Sequence, residues 1–258
     1  MSKKISASLL VCLPLLSSPA LAHDIASTTV EPMGRVKTGA TRSLELGAKV
    51  LQRTTPMHGF DVYLVGFHPM KANPEMQMKA HHFCHQVNED FAQCVLFDSN
   101  SAEANMNGVE YIISEAVFEA LPEEEKKYWH PHNGEILSGQ LVAPGLPSVA
   151  EKALMKSKMN SYGKTWHVWN TGHHGHAGDV LPLGDPRLAW SFNREGEANP
   201  DMIIKRDKKL NVDTSKKRKE RAELTSLAKP QSGVDTLKEA FKAQTQAIPG
   251  VRSQHIPH

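Results

Sequence analysis

Fourteen histidines in 258 residues are grouped rather than scattered, and that grouping is the first chemical signal in the chain. His81-His82-Phe83-Cys84-His85 reads as part of a strand, on which alternate residues share a face. His82 and Cys84 then point one way, and His81, Phe83 and His85 the other. An imidazole and a thiolate on one face form half of a metal site, although an ordinary strand surface carries the same residue types. Trp129-His130-Pro131-His132 is followed by Glu135. Two imidazoles at this spacing converge from a strand or loop, and the carboxylate completes a donor set. His167 sits in Lys164-Thr-Trp-His-Val-Trp169, where it serves either as a ligand or as a hydrogen-bonded core residue. Gly172-His173-His174-Gly175-His176 has the composition of a labile surface metal binder. A mobile loop does not preorganise a site, so it is a poor place for catalysis.

Other chemistries lack their motifs. The chain has no Gly-rich phosphate loop, no Gly-x-Ser-x-Gly elbow and no His-Glu-x-x-His helix. It has no Cys-x-x-Cys pair either. Residues 23–204 hold 15 Lys and Arg against 22 Asp and Glu, which excludes a nucleic-acid footprint on that body. Residues 205–229 reverse the balance, with 10 basic against 4 acidic residues. This run, including Lys216-Lys-Arg-Lys219, reads as a solvated segment or a handle for an anionic surface.

The elements that must position these groups are short and linked by turns. Phe60–Phe67 reads as a buried strand ended by His68-Pro69, and residues 69–78 as a loop. Lys79–Val87, a turn at Asn88-Glu89-Asp90, Phe91–Phe97 and Val109–Ile113 form an expected antiparallel meander. Ser114 caps a helix near Glu115, and Pro122-Glu-Glu-Glu125 opens another that runs to about Trp129. Residues 135–143 resemble a strand, Val149–Met159 a helix, and Lys164–Trp169 and Leu188–Phe192 further strands. A short helix is expected around Val234–Ala243. Strands and helices mix without βαβ regularity, so the fold class is α+β: a single domain with a mainly antiparallel sheet and packed helices, plus a flexible basic C-terminal tail.

Lys3 and Lys4, the apolar run Ile5–Leu16 and Ala20-Leu21-Ala22 have the three parts of a cleavable export signal. The expected plan is a signal peptide at 1–22, a flexible leader at 23–43, the domain at 44–204 and a basic, partly disordered extension at 205–258. A periplasmic or secreted location follows, in which Cys84 and Cys94 can pair as a disulfide or remain free. Cross-strand bridges are geometrically demanding, so spacing alone leaves both states open.

A resemblance covers residues 44–204. At His81-His-Phe-Cys84, Gln93-Cys-Val-Leu-Phe-Asp98, Gly108-Val-Glu-Tyr-Ile112 and Leu121-Pro-Glu-Glu-Glu-Lys126 the chain is similar to the plant oil body-associated proteins. The match continues through Trp129-His130-x-His132 with Glu135, Ser138-Gly139, Pro144-Gly145, Tyr162-Gly-Lys-Thr165 with His167 and Trp169, and Leu181-Pro-Leu-Gly184. The family has no established biochemical activity, and its relatives outside plants are grouped as a domain of unknown function. The His-rich loop at 172–178, the basic tail and His85 depart from the plant pattern. The resemblance implies a shared site drawn from His82, His130, His132 and His167 with Glu110 or Glu135, and with His81 and Cys84 in secondary places. His173, His174 and His176 fall outside it. The expected function is a binding protein with a His/Glu pocket for a divalent metal such as zinc, copper or iron. One alternative is a metal-dependent hydrolase or oxidase with Glu110 or Glu135 as general base. The other is a structural protein in peripheral contact with lipid. Neither the ligand nor the oligomeric state follows from the sequence.

Overall fold

Consecutive strands joined by tight turns supply most of the sheet. The computed structural model describes residues 30–52, 56–173 and 176–254. Strands β1 (Val62–Met70), β2 (Asn73–Asn88), β3 (Phe91–Phe97) and β4 (Met106–Ile113) pair antiparallel in that order. A later strand, β6 (Tyr162–His167), lies antiparallel to β4. Two short strands, β5 (His130–Pro131) and β7 (Arg187–Leu188), both pair with β6. The chain then returns to its start. Lys71 N donates to Leu188 O at 2.9 Å, Ala189 N to Thr165 O at 2.9 Å and Trp190 N to Pro69 O at 2.8 Å. The sheet therefore curls until its ends meet through residues 188–190, and one face of each strand points inward.

Register decides what that inner face carries. Leu64, His82, Leu96, Gly108 and His167 occupy one rung across β1, β2, β3, β4 and β6. Cys84, Cys94, Glu110 and Thr165 occupy the next. Residues directly opposite on antiparallel strands share a face, so His82, His167 and Glu110 are neighbours although their sequence positions are far apart. Cys84 and Cys94 are joined by a disulfide across this second rung, with Cα atoms 4.0 Å apart.

The helices are α1 (Gly39–Leu51), which buries none of its residues, α2 (Glu115–Glu119), α3 (Glu123–Lys126), α4 (Asn133–Leu137), α5 (Ser148–Ser157), α6 (Pro200–Leu210) and α7 (Thr214–Glu220). The α+β class and the mainly antiparallel sheet are as expected. No helix among the described residues is long and apolar enough to cross a membrane.

Several local expectations give way to tertiary structure. β1 runs through His68-Pro69, because Pro69 sits at a register irregularity and contributes its carbonyl to the closure rather than its missing N–H. The stretch expected as a strand at 135–143 begins instead as helix α4, all of whose residues are buried. A short apolar run does not distinguish a strand from a buried helix. Residues 234–243 form turns rather than a helix.

Residues 205–254, expected as a basic extension, contribute side chains to the body of the fold. Leu224, Ala228 and Ile248 lie in the main core with Leu64, Leu96 and Ile136. Asn199 caps α6 with its side chain and Asp213 caps α7. The physical reason is that two arginines of the basic run are inside. Arg206 and Arg221 are each 1% exposed. Arg206 Nη1 donates to Gln140 O at 2.7 Å, and Arg221 Nη1 donates to Ile136 O and Leu141 O at 3.0 and 2.8 Å. A charge count treats every guanidinium as solvated, whereas these two satisfy buried carbonyls. The signal-peptide expectation at 1–22 lies outside the described residues.

Candidate metal centre

The buried carboxylate of Glu110, on β4, is the hub of the inner face. Its Oε2 lies 2.8 Å from His82 Nε2 and 3.9 Å from His68 Nε2. Its Oε1 lies 3.2 Å from His132 Nε2 and 3.8 Å from His130 Nε2. All five residues are 4% exposed or less. The close His82 contact is an ion-pair distance. The ligand atoms form two sets, His68-His82-Glu110 and Glu110-His130-His132, each with all atoms within 4.8 Å of one another. Either set could hold a metal ion.

Hydrogen bonds fix the tautomers of two of these rings. His167 Nδ1 lies 3.3 Å from Asn107 O, a carbonyl that only accepts, so Nδ1 carries the proton. The neutral ring then offers a lone pair at Nε2, which lies 3.1 Å from His68 Nδ1. His68 must donate from Nδ1, leaving the lone pair of its Nε2 aimed at Glu110. A second relay does the same for His132. Ser161 Oγ donates to Lys158 O at 2.8 Å and accepts from His132 Nδ1 at 2.8 Å. The Nε2 of His132 consequently faces Glu110 Oε1 at 3.2 Å, with a lone pair there whenever the ring carries a single proton. Two ring lone pairs directed at a buried carboxylate repel it unless a cation, proton or metal, lies between them.

The protonation tendencies agree with this arrangement. Burial, reinforced by its imidazole neighbours, holds His68 well below the ordinary histidine range. Burial likewise takes His130 down to about 3 and His167 to about 4. Burial opposes ionisation of Glu110, but hydrogen bonds that His132 and His82 donate when a proton lies between them and the carboxylate outweigh it and keep the carboxyl well below the usual range. Glu135 moves the other way: burial, and then the Glu110 charge, push it well above that range. Neutral His68 and His130 beside an ionised Glu110 are in the forms that bind a divalent cation.

The site also has room. A cavity of about 20 Å³ is bordered by His68, His82, Glu110, His132, Glu135 and Leu64, enough for one water-sized occupant. Gly163 of β6 lets three of these groups pack against its backbone. A Cβ there would fall closer than 3.0 Å to Glu110 Oε1, His132 Nε2 and His130 Cε1. Only glycine leaves these three groups unobstructed.

Of the residues expected to meet, His82, His130, His132 and Glu110 do so. His167 reaches the cluster through His68 and has no place in either three-residue set. Glu135 borders the cavity with its Oε1 unpaired. His81 occupies the opposite face of β2, 2.7 Å from Tyr63 Oη. Cys84 is bound in the disulfide and offers no thiolate. His173 and His176 stack on each other, with ring centroids 4.6 Å apart, outside the cluster; His174 lies outside the described residues. The residue missed by sequence reasoning is His68, which stands before a proline and so reads as the end of a strand. Its signal is its spacing: Leu64, Gly66 and His68 share one face of a strand.

Fold and site together define a curled antiparallel-sheet protein with a buried histidine–carboxylate centre. The model of the family described as a protein of unknown function, DUF1264, matches residues 54–225, and the chain belongs to that family. Oil body-associated protein 1A of Zea mays is 37% identical over 211 residues, covering 82% of this chain and 86% of the relative. Oil body-associated protein 2B of Arabidopsis thaliana is 38% identical over 186 residues, covering 71% and 74%. Oil body-associated protein 1B of Arabidopsis thaliana is 34% identical over 206 residues, covering 80% and 82%. No solved structure matches the chain. These relatives overturn the expectation of a periplasmic or secreted protein, since each is named for association with oil bodies, a setting at odds with that address. The address rested on the composition of 22 terminal residues, and a basic start before an apolar run does not by itself fix a location.

Proposed function

We propose that this protein binds a divalent transition metal, zinc, copper or iron, through Glu110 and the imidazoles of His68, His82, His130 and His132. The observation that carries the reading is the pair of tautomer relays, Asn107–His167–His68 and Lys158–Ser161–His132, which aim two lone pairs at one buried carboxylate. Imidazole and carboxylate donors without a thiolate suit these borderline ions. Metal analysis of protein purified without a histidine tag, after growth with all three metals, tests the proposal. Bound metal that is lost in Glu110→Ala supports it, and metal-free protein overturns it.

Two further readings each rest on a specific observation. The unpaired Glu135 carboxyl beside the cavity favours an enzyme, in which it would pass a proton to or from a water-sized reactant. The names of the relatives favour contact with a lipid surface. The exposed helix α1 supports that reading, because it buries none of its residues and places Ala40, Leu44, Ala48 and Leu51 along one face. Liposome co-sedimentation at low salt separates the two: Leu44→Ser with Leu51→Ser should abolish lipid contact without changing bound metal.

A further inference from the structure

We infer that the cluster is built for two divalent ions bridged by the Glu110 carboxylate, one held by His68 and His82 and the other by His130 and His132. This rests on the metal-binding reading above and specifies its nuclearity. The donors divide cleanly between the two carboxylate oxygens. Oε2 is approached by His82 at 2.8 Å and His68 at 3.9 Å, whereas Oε1 is approached by His132 at 3.2 Å and His130 at 3.8 Å. Donors bound at about 2.1 Å to one ion stand roughly 3–3.5 Å apart, so each half needs only a small contraction to close on its own ion. Glu110 is the sole residue common to the two sets. A carboxylate that offers one oxygen to each of two ions keeps them about 3.5–4 Å apart, the spacing of two-metal sites.

The cavity beside Glu135 touches both halves, bordered by His68 and His82 of one and His132 of the other, and the missing side chain of Gly163 keeps β6 clear of His130 and His132. Each half also contains one ring whose Nδ1 is engaged elsewhere so that Nε2 is turned to Glu110, His68 in the first and His132 in the second. In the second half, His130 is fully buried with neither ring nitrogen hydrogen-bonded, which a single ion bound in the first half would leave unexplained.

Stoichiometry decides the matter. The full chain carrying His173→Ala, His174→Ala and His176→Ala, so that the loop binds nothing, is reconstituted with cobalt(II) and assayed for cobalt per chain and for magnetic coupling. Two ions per chain, with a coupled pair, is the expected result. His68→Ala and His130→Ala should each fall to one ion and lose the coupling while retaining the parent circular dichroism. One uncoupled ion in the parent overturns the two-ion inference and leaves metal binding intact; no ion overturns both. If either variant fails to fold, the parent's stoichiometry and coupling still distinguish two ions from one.

Discussion

His68 Nδ1 lies 3.1 Å from His167 Nε2, and this contact sets which nitrogen of His68 faces Glu110. His167 thus acts as an orienting residue rather than a ligand. Removing such a partner typically costs about 10–100-fold in metal affinity. His167→Ala should weaken binding by that factor in a chelator competition assay. His167→Gln can still accept from His68 and donate to Asn107 O, and should restore most of it. Equal affinity in His167→Ala and the parent would refute the relay.

Glu151 and Arg221 form a buried ion pair between α5 and the end of α7. Arg221 Nη2 stands 3.2 Å from Glu151 Oε1, which also accepts from Ala143 N at 2.9 Å, and Lys217 contacts Oε2. Both Glu151 and Arg221 are buried. Deleting one partner of a buried pair strands the other's charge, at about 3–5 kcal/mol. Glu151→Ala should therefore lower the denaturant midpoint markedly, whereas Lys216→Ala on the exposed side of α7 should leave it nearly unchanged. The contrast shows whether the basic segment is structural. A solvated tail would make both substitutions silent.

The Cys84–Cys94 bridge closes a sequence separation of 10 residues. The chain-entropy estimate for a loop of this size is about 2–3 kcal/mol, and the hairpin that already joins β2 to β3 lowers it. Cys84→Ser with Cys94→Ser should reduce the melting temperature by several degrees. The bridge occupies the rung of Glu110, so the same variant should also loosen metal binding. A melting temperature unmoved by the double substitution and by reductant would show that the cysteines are not paired in solution.

The sheet and most of the cluster were legible because both depend on local alternation. The β2–β3–β4 meander follows from turn residues at 88–90 and from period-two runs, and His130-x-His132 announces itself by spacing. Three things were not legible. His68 precedes a proline, which normally ends a strand, and only the ring closure through Trp190 N keeps β1 going. The convergence on Glu110 depends on register across four strands, which no local window records. Arg206 and Arg221 belong to a polar run by composition, yet the carbonyls they satisfy lie between 66 and 141 positions away.

Lys79 provides a test of the opposite face of β2. It pairs with Phe67 across the β1–β2 ladder, and burial, followed by repulsion from Lys209, lowers its ammonium from 10.5 to about 8, with Asp98 acting in the other direction. The folded chain thus carries a charge it would rather not hold. Below pH 8 both folded and unfolded chains keep the proton, and the full penalty applies. Between pH 8 and 10.5 the folded chain releases it first, so stability rises with pH across that window. Above 10.5 the ammonium is neutral in both states and the penalty vanishes. Lys79→Met removes the charge at every pH. It should be more stable than the parent by about 1–3 kcal/mol at pH 7, with the difference fading toward pH 10.5. Paired denaturant titrations of the two proteins at pH 7, 9 and 10.5 measure that difference directly, and a gap that stays constant with pH would mean that Lys79 is solvated.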